Sequence, residues 1–278
     1  MYFVIFHYLP MFGVLIAFKD YNVFDGVFKS KWVGFEHFRV FLTDPYFYKL
    51  VRNTMMIGFY HIVFSFPAPI ILALLLNELR SLAFKRVVQT ISYLPHFLST
   101  VVVVGLLVNF LSYEGIINRF VSWFGYEPTH FLMLAEWFRT IYISSEIWQG
   151  IGWGSIIYLA ALTSIDTQQY EAAKIDGANR WKQMIHVTLP GIAPTIIILL
   201  LFNIGAILNV SFEKVLLMSN GSNIETSDVI SLFVYRRGLI SADFSFATAV
   251  GLFNSVIALI FLTAANTISK KLNETSLW

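Results

Sequence analysis

The chain has 278 residues, of which 57% are apolar or aromatic and 13% are charged, with a mean hydropathy of +0.67. About a quarter of the residues of a soluble domain are charged, so this apolar surplus predicts a protein solvated by a lipid bilayer. The net charge of +2 gives no support for nucleic-acid binding. The absence of cysteine excludes disulfides, thiolate metal sites and cysteine nucleophiles.

Six apolar stretches are long enough to cross about 30 Å of hydrocarbon. They are residues 1–18, 53–76, 93–112, 140–164, 191–212 and 247–268. The first has neither a basic segment before it nor a small-residue cleavage site after it, so it reads as a transmembrane helix rather than a signal peptide. The sequence leaves open whether residues precede Met1. The pattern predicts an all-α polytopic membrane protein with a single transmembrane domain over 1–278.

The loops between these stretches differ in length and in charge. Phenylalanines and Leu42 recur at helical spacing within 35–42, which predicts an interfacial helix. Lysine and arginine are denser in 77–92, in 165–190 and in the segment from Ser269 than in the other loops, which favours a cytoplasmic position for these three. The raw count of basic residues favours the other set, so charge alone leaves the orientation open.

The segment 165–190 has the pattern of a helix, a turn and a second helix. Asp166 can cap the first helix, with Gln169 at the third position of a capping box. Gly177 then interrupts the helix, and the second helix runs to Pro190, where the next apolar stretch begins. The alternative is a surface loop that only joins two spans.

This segment contains the short runs Glu171-Ala172-Ala173, Asp176-Gly177-Ala178 and Leu189-Pro190. These runs and their spacing resemble the EAA loop of ABC importer permeases. The resemblance implies the type I permease fold of ABC importers, with six transmembrane helices. It also implies a cytoplasmic coupling helix, between the fourth and fifth spans, that docks into a cleft of an ATP-binding subunit.

The similarity extends over nearly the whole chain from about residue 34. The matching runs begin at Gly34, Arg52, Tyr93, Thr163, Asp228 and Phe244. They are similar to carbohydrate-uptake permeases of the maltose and glycerol-phosphate type, and the last two runs to the LplB-like permeases of complex-carbohydrate importers. Asn220-Gly-Ser departs from the Gly-Gly-Pro of many sugar permeases. The resemblance therefore implies an oligosaccharide substrate without indicating which one.

The same resemblance implies the assembly around the chain. The expected partners are a second related permease, two ATP-binding cassette subunits that hold ATP and magnesium, and an extracytoplasmic sugar-binding protein that is periplasmic or a lipoprotein. The expected location is the bacterial cell membrane, with the coupling loop and the C-terminus in the cytoplasm.

The chain lacks the motifs of an ATPase. It contains no Gly-x-x-x-x-Gly-Lys-Ser/Thr phosphate loop, and the glycine-rich run Gly150–Gly154 is better explained by close helix packing. We therefore expect a non-catalytic subunit with no metal site and no cofactor of its own. The rival interpretations are an ion-coupled secondary transporter that acts without an ATPase and a membrane scaffold.

Polar and aromatic side chains inside the apolar stretches are candidates for a sugar pathway, because such groups are costly against lipid. The candidates are Asn209, Glu146, Gln149, Trp153, Asn203, Asn254, Asn109 and Tyr113. Glu146, Gln149 and Trp153 share one helical face, at positions i, i+3 and i+7. Asn109 and Tyr113 share a face of the third apolar stretch. Asn209 lies near the region that contacts sugar in maltose-type permeases, by the resemblance.

The alternative for each candidate is a hydrogen bond to a neighbouring helix. Glu146 has a further alternative, as the partner of a basic residue of the companion permease. His61, in the second apolar stretch, is interpreted as a packed hydrogen-bonding residue rather than as a proton relay.

Overall fold

Helices make up most of this chain. The computed structural model describes residues 1–273, 276 and 277. Inside hydrocarbon there is no water to bond the backbone, and an α-helix satisfies its N–H and C=O groups within one segment. The prediction of an all-α membrane protein is confirmed at this level.

The first third of the chain contains two longer helices and, between them, two short helices and a two-stranded antiparallel sheet. The elements are α1 (Val4–Phe18), β1 (Lys19–Asp20), α2 (Gly26–Lys29), β2 (Lys31–Trp32), α3 (Glu36–Thr43) and α4 (Phe47–Glu78). Lys19 pairs with Trp32, and Asp20 with Lys31. The predicted helix over 35–42 corresponds to α3.

The middle third contains a bent pair of helices and one long helix. The elements are α5 (Leu82–Phe97), α6 (Thr100–Phe110), α7 (Ile116–Ser122), the 3-10 turn Phe131–Met133 and α8 (Ala135–Thr163). The bend between α5 and α6 is 103°. Leu98, at the bend, has extended backbone angles, so the helix cannot continue through it.

The last third contains two long helices with four short ones. The elements are α9 (Thr167–Ile175), α10 (Arg180–Gly205), α11 (Phe212–Met218), α12 (Ile224–Ser227), α13 (Ile230–Tyr235) with the π-turn Arg236–Ile240, and α14 (Phe244–Asn273).

Among the residues that the structure describes, α4, α10 and α14 are the three helices long and apolar enough to cross a membrane singly. The bent pair α5–α6 passes the same test only when its two helices are taken together, and α1 is apolar but shorter. Although α8 has 29 residues, it is not among the three, since charged, amide and glycine residues interrupt its apolar surface. The count of six spans stays a prediction.

Three wide π-helical turns share one cause, a proline two residues after the turn ends. The turns are Val4–Tyr8 before Pro10, His61–Ser65 before Pro67 and Met184–Thr188 before Pro190. A proline has no N–H to donate, and its ring collides with the carbonyl four residues earlier, which is here the middle residue of each turn. The residue before each proline instead donates to the carbonyl five residues earlier, so the wider turn keeps the helix continuous.

The chain divides into two compact units. Unit one comprises Met1–Gly58, Leu107–Arg139 and Leu208–Ile260. Its apolar core joins α3, α4, α13 and α14 through Phe41, Leu50, Ile230, Phe246 and Val250. The phenylalanine from α3 therefore packs into protein.

Unit two comprises Phe59–Leu106, Thr140–Ile207 and the chain from Phe261. Its apolar core joins α4, α8 and α10 through Ile70, Ala73, Tyr158, Leu162 and Ile192. This unit contains the whole of the predicted coupling segment 165–190.

Two glycines of α8 allow close helix approach in unit two. A Cβ atom at Gly152 would collide with the Ser92 carbonyl, and one at Gly154 would lie 2.9 Å from Pro69 Cγ. Gly150, on the same helix, has open space around it. The predicted close packing is confirmed for Gly152 and Gly154.

We predict that Gly152→Ala lowers the free energy of unfolding by about 1–3 kcal/mol, because the new methyl meets backbone atoms that cannot rotate away. Gly150→Ala is the matched control and should leave stability unchanged or slightly raised, since alanine favours helix over glycine. Denaturant titration of the purified chain in detergent measures both. Equal stability of the two variants would contradict the close approach.

Candidate functional site

The segment 165–190 forms two capped helices joined by a tight turn. The Asp166 carboxylate accepts a hydrogen bond from the Gln168 N–H at 2.9 Å and caps α9, as predicted. Gln169 donates its backbone N–H to the Asp166 carbonyl at 3.1 Å. The Asn179 side chain caps α10 by accepting from the Lys182 N–H at 2.9 Å, a cap that the sequence prediction missed.

Gly177 ends α9 in a left-handed conformation, with φ of +76°. The Ala178 N–H donates to the Ala173 carbonyl at 2.9 Å, and the Gly177 N–H donates to the Lys174 carbonyl at 3.0 Å. These two bonds define a Schellman motif, which requires a residue that tolerates positive φ. The predicted interruption at Gly177 is therefore confirmed.

The tip of this segment is exposed. Glu171, Asp176 and Gly177 lie on the surface, and Ile175 is 87% exposed.

Side-chain contacts attach the base of the segment to the helices of unit two. The Tyr170 hydroxyl lies 3.0 Å from the Thr188 hydroxyl, inside the π-turn that leads to Leu189 and Pro190. Arg180 Nη1 lies 3.4 Å from Glu78 Oε2, at the end of α4. The Tyr170–Thr188 contact thus joins the two helices of the segment, while the turn between them is exposed.

A polar cluster joins three helices of unit two. His61 of α4 lies between Glu146 of α8, 3.1 Å from Nδ1 to Oε2, and Asn203 of α10, 3.0 Å from Nε2 to Oδ1. The His61 and Glu146 side chains are 38% and 23% exposed, so the cluster is only partly enclosed by the chain. His61 is also the first residue of the π-turn that precedes Pro67. The interpretation of His61 as a hydrogen-bonding residue is confirmed.

The orientation of Asn203 determines where the protons of this cluster lie. Its Nδ2 donates to the Leu199 carbonyl at 2.8 Å, so its Oδ1 faces His61 and accepts from Nε2–H. At Nδ1, the imidazole faces Glu146 Oε2, so the carboxyl has a hydrogen-bond partner inside the protein, which is less costly in a membrane than an isolated charge.

Two other predicted residues of α8 contact the bend between α5 and α6. The Gln149 amide donates to the Leu98 carbonyl at 3.1 Å. Trp153 stacks face to face on His96, with ring centroids 4.6 Å apart. These contacts support the alternative that both side chains stabilise helix packing, since the carbonyl at a helix break needs a donor.

The remaining predicted pathway residues belong to unit one. Asn109 is exposed near the end of α6, and Tyr113 follows the helix and stacks on His130 at 5.2 Å, so the two do not share a helical face. Asn209 lies after α10, which ends at Gly205, and is exposed. Asn254 of α14 has a buried Oδ1 atom without a hydrogen-bond partner within the described part of the chain.

Comparison with known proteins decides the class. Residues 65–274 match the profile of the family described as binding-protein-dependent transport system inner membrane component. The chain belongs to this family. It is a transport permease, so the secondary-transporter and scaffold interpretations are set aside.

Its relatives belong to the group that the sequence runs indicated. Protein LplB of Bacillus subtilis (strain 168) is 47% identical over 279 residues, covering 100% of this chain and 88% of LplB. The polygalacturonan/rhamnogalacturonan transport system permease protein YteP of the same organism is 46% identical over 278 residues, covering 100% of this chain and 87% of YteP. The predicted resemblance to LplB-like permeases is confirmed.

The fold also matches a solved importer. A chain from the bacterial alginate ABC transporter in complex with alginate pentasaccharide-bound periplasmic protein superposes with a TM-score of 0.92 at 44% identity. The match covers 99% of this chain and 92% of that one. The expected ABC importer permease fold is thus confirmed, while the type I arrangement of six spans with a coupling helix stays a prediction.

Unit one of this permease contains a buried polar network that the sequence prediction missed. Asn53 is 1% exposed; its amide donates to the carbonyls of Glu225 and Asp228 at 2.9 and 3.0 Å and accepts from Arg139 at 2.8 Å. Thr54 accepts from the Ile230 N–H at 3.0 Å. The Arg52-Asn-Thr run thus fixes the segment 225–230 against α4. A polar pair at the start of an apolar stretch is the signal that could have indicated it.

The same segment carries a surface ion pair. Glu225 Oε2 lies 2.9 Å from Lys49 Nζ. The Lys49 ammonium, with smaller contributions from Arg52 and Arg139, lowers the pKa of the Glu225 carboxyl. Because Glu225 is exposed, this pair orients the segment more than it stabilises the fold.

We predict that Asn53→Ala lowers the free energy of unfolding by about 2–4 kcal/mol, because two carbonyls and one guanidinium lose a buried partner. Asn77→Ala, at the exposed end of the same helix α4, is the matched control and should change stability by less than about 0.5 kcal/mol. Thermal unfolding in detergent compares the two. A small effect at Asn53 would mean that water replaces the network.

Proposed function

We propose that this chain is one of two permease subunits of an ATP-driven importer for an oligosaccharide. Relatives at 46% and 44% identity are named for polygalacturonan or rhamnogalacturonan transport and for alginate import, which supports a carbohydrate substrate. The observation that carries the ATP-driven mechanism is the helix–turn–helix at 165–190, rigid at its base and exposed at its tip.

In this proposal the exposed tip docks into a cleft of an ATP-binding subunit. The coupling residues are Glu171, Ala172, Ala173, Asp176, Gly177, Ala178, Leu189 and Pro190. The Schellman turn at Gly177 sets the angle between the two helices, and Ile175 supplies apolar surface for the partner. The π-turn before Pro190 transfers movement of the tip into α10.

The topology follows from the side on which the ATPase lies. With the segment 165–190 in the cytoplasm of a bacterial cell, the loop around 77–92 and the end of α14 lie on the same side. Six crossings then require α1, α8 and the bent pair α5–α6 to span the membrane beside α4, α10 and α14. Neighbouring helices of a second permease would cover the polar surface of α8.

The pathway is proposed to run along the polar faces of unit two. Glu146 and Asn203 each bond to His61, so we assign them to the joining of neighbouring helices rather than to sugar contact. Trp153 is 46% exposed and stacks on His96 through one ring face. Asn209 and Tyr113 stay predictions as sugar contacts, as do Gln149, Asn109 and Asn254.

The other subunits of the proposed importer are partner proteins. A second permease completes the pathway, two ATP-binding cassette subunits hold ATP and magnesium, and an extracytoplasmic binding protein delivers the sugar. The chain itself then catalyses no reaction and holds no cofactor. The name of the family and the binding protein in the matched alginate importer structure support this arrangement.

We predict that wild-type chain co-purifies with its ATP-binding subunits and that Gly177→Pro abolishes this association, because proline cannot adopt the left-handed turn. Glu171→Ala should weaken the association or uncouple ATP hydrolysis from uptake. The measurement is affinity purification of the co-expressed assembly, followed by ATPase assay.

Gly125→Pro is the matched control. Gly125 also has positive φ, +82°, and open surroundings, but it lies outside the coupling segment. Its proline variant should retain the ATP-binding subunits. Loss of those subunits from both glycine variants, or from neither, would count against the proposed docking surface.

A further inference from the structure

The helices that flank the coupling segment are tied together far from it. The segment joins α8 to α10, and α4 touches it through the ion pair of Glu78 with Arg180. These same three helices meet again at the cluster of His61, Glu146 and Asn203. His61 is the side chain that bonds to both of the others.

The cluster lies at a similar distance from the coupling end on all three helices. His61 precedes Glu78 by 17 residues, Glu146 precedes the end of α8 at Thr163 by 17, and Asn203 follows Thr188 by 15. At 1.5 Å per residue, the cluster lies about 22–26 Å from the coupling end on every helix. In a bilayer about 30 Å thick, this places it towards the opposite side.

Between the two ends lies an apolar layer. Ile70 and Ala73 of α4, Tyr158 and Leu162 of α8, and Ile192 of α10 pack together there. Apolar packing is non-directional, so it holds the helices together but fixes their rotation and register less strictly than hydrogen bonds do. The directional hydrogen bonds of the cluster fix both, because a shift of one side chain breaks them.

We propose that His61 is a positioning residue that makes α4, α8 and α10 move as one body, so that movement of the coupling segment reaches the far end of the pathway. The inference rests on the proposed function. It assigns the cluster a mechanical role in coupling, distinct from contact with the sugar.

Two substitutions in the cluster distinguish a role of its hydrogen bonds from a role of its charge. In Glu146→Gln, the new amide donates to Nδ1 of neutral His61, while Nε2–H still donates to Asn203, so every hydrogen bond is kept and the ionisable carboxyl is lost. In His61→Leu, both bonds are lost and two polar side chains are left unpaired. The positioning role requires the first variant to work and the second to fail.

The test uses the assembly reconstituted in proteoliposomes with its second permease, ATP-binding subunits and binding protein. Uptake of labelled alginate and galacturonan pentasaccharides is measured beside ATP hydrolysis. We expect His61→Leu to lower sugar imported per ATP about ten-fold while ATP hydrolysis persists, and Glu146→Gln to stay within about two-fold of wild type.

His7→Leu is the matched control. His7 lies in the apolar helix α1, where its ring packs on Tyr2 and Phe3, and its replacement should leave the ratio unchanged. A wild-type ratio in His61→Leu would overturn the inference. An equal loss in Glu146→Gln would also overturn it, since charge or sugar contact would then be the role. Failure of the wild-type assembly to form or to import either sugar would overturn the proposed function itself.

A second variant covers the case in which His61→Leu does not assemble. The chain has no cysteine, so His61→Cys with Asn203→Cys introduces one defined pair. Bridging the two thiols with a short bis-maleimide should raise sugar imported per ATP several-fold over the unbridged variant. Inhibition by the bridge would show that α4 and α10 must separate during transport, which contradicts the positioning role.

Discussion

The constraint on which this structure depends is the absence of water in the hydrocarbon, where each polar group must find its partner inside the protein. The prolines show how the backbone satisfies this constraint. Pro67 and Pro190 each remove a donor from a long helix, and a π-turn before each proline restores the bonding without breaking the helix. One of these turns presents His61 to two other helices, and the other leads out of the coupling segment. The backbone adjustment that proline requires thus lies at both ends of the proposed transmission.

The two ends of unit two have different physical characters. At the coupling end, capped helices and a Schellman turn hold an exposed tip in one conformation without covering it. At the other end, a hydrogen-bonded cluster ties together the helices that enter and leave that segment. An apolar layer lies between the two ends. This combination suits a part that receives movement at one end and transmits it to the other, as an ATP-driven permease requires.

Local patterns were predictable from the sequence. The cap at Asp166 and the turn at Gly177 depend on neighbouring residues only, and both are confirmed. Bonds between distant residues were not predictable, because the apolar pattern does not specify which helices meet. His61 could be interpreted as hydrogen-bonded, but its partners Glu146 and Asn203 are 85 and 142 residues away.

The sequence predictions were also wrong about where some helices end. The apolar stretch 191–212 continues past Gly205, where α10 stops, so Asn209 lies outside the helix. The bend at Leu98 divides the stretch 93–112 and gives Gln149 and Trp153 partners that a straight span would not offer. In each case hydropathy records that a segment is apolar without recording where its backbone turns.

ATP-driven uptake by a reconstituted assembly tests the central claim most directly. The chain would be placed in proteoliposomes with its second permease and ATP-binding subunits, and labelled oligosaccharide uptake would be followed with the binding protein outside and ATP inside. The account predicts uptake that requires ATP and the binding protein together and that persists when ion gradients are collapsed. Uptake driven by an ion gradient without the ATP-binding subunits would contradict it.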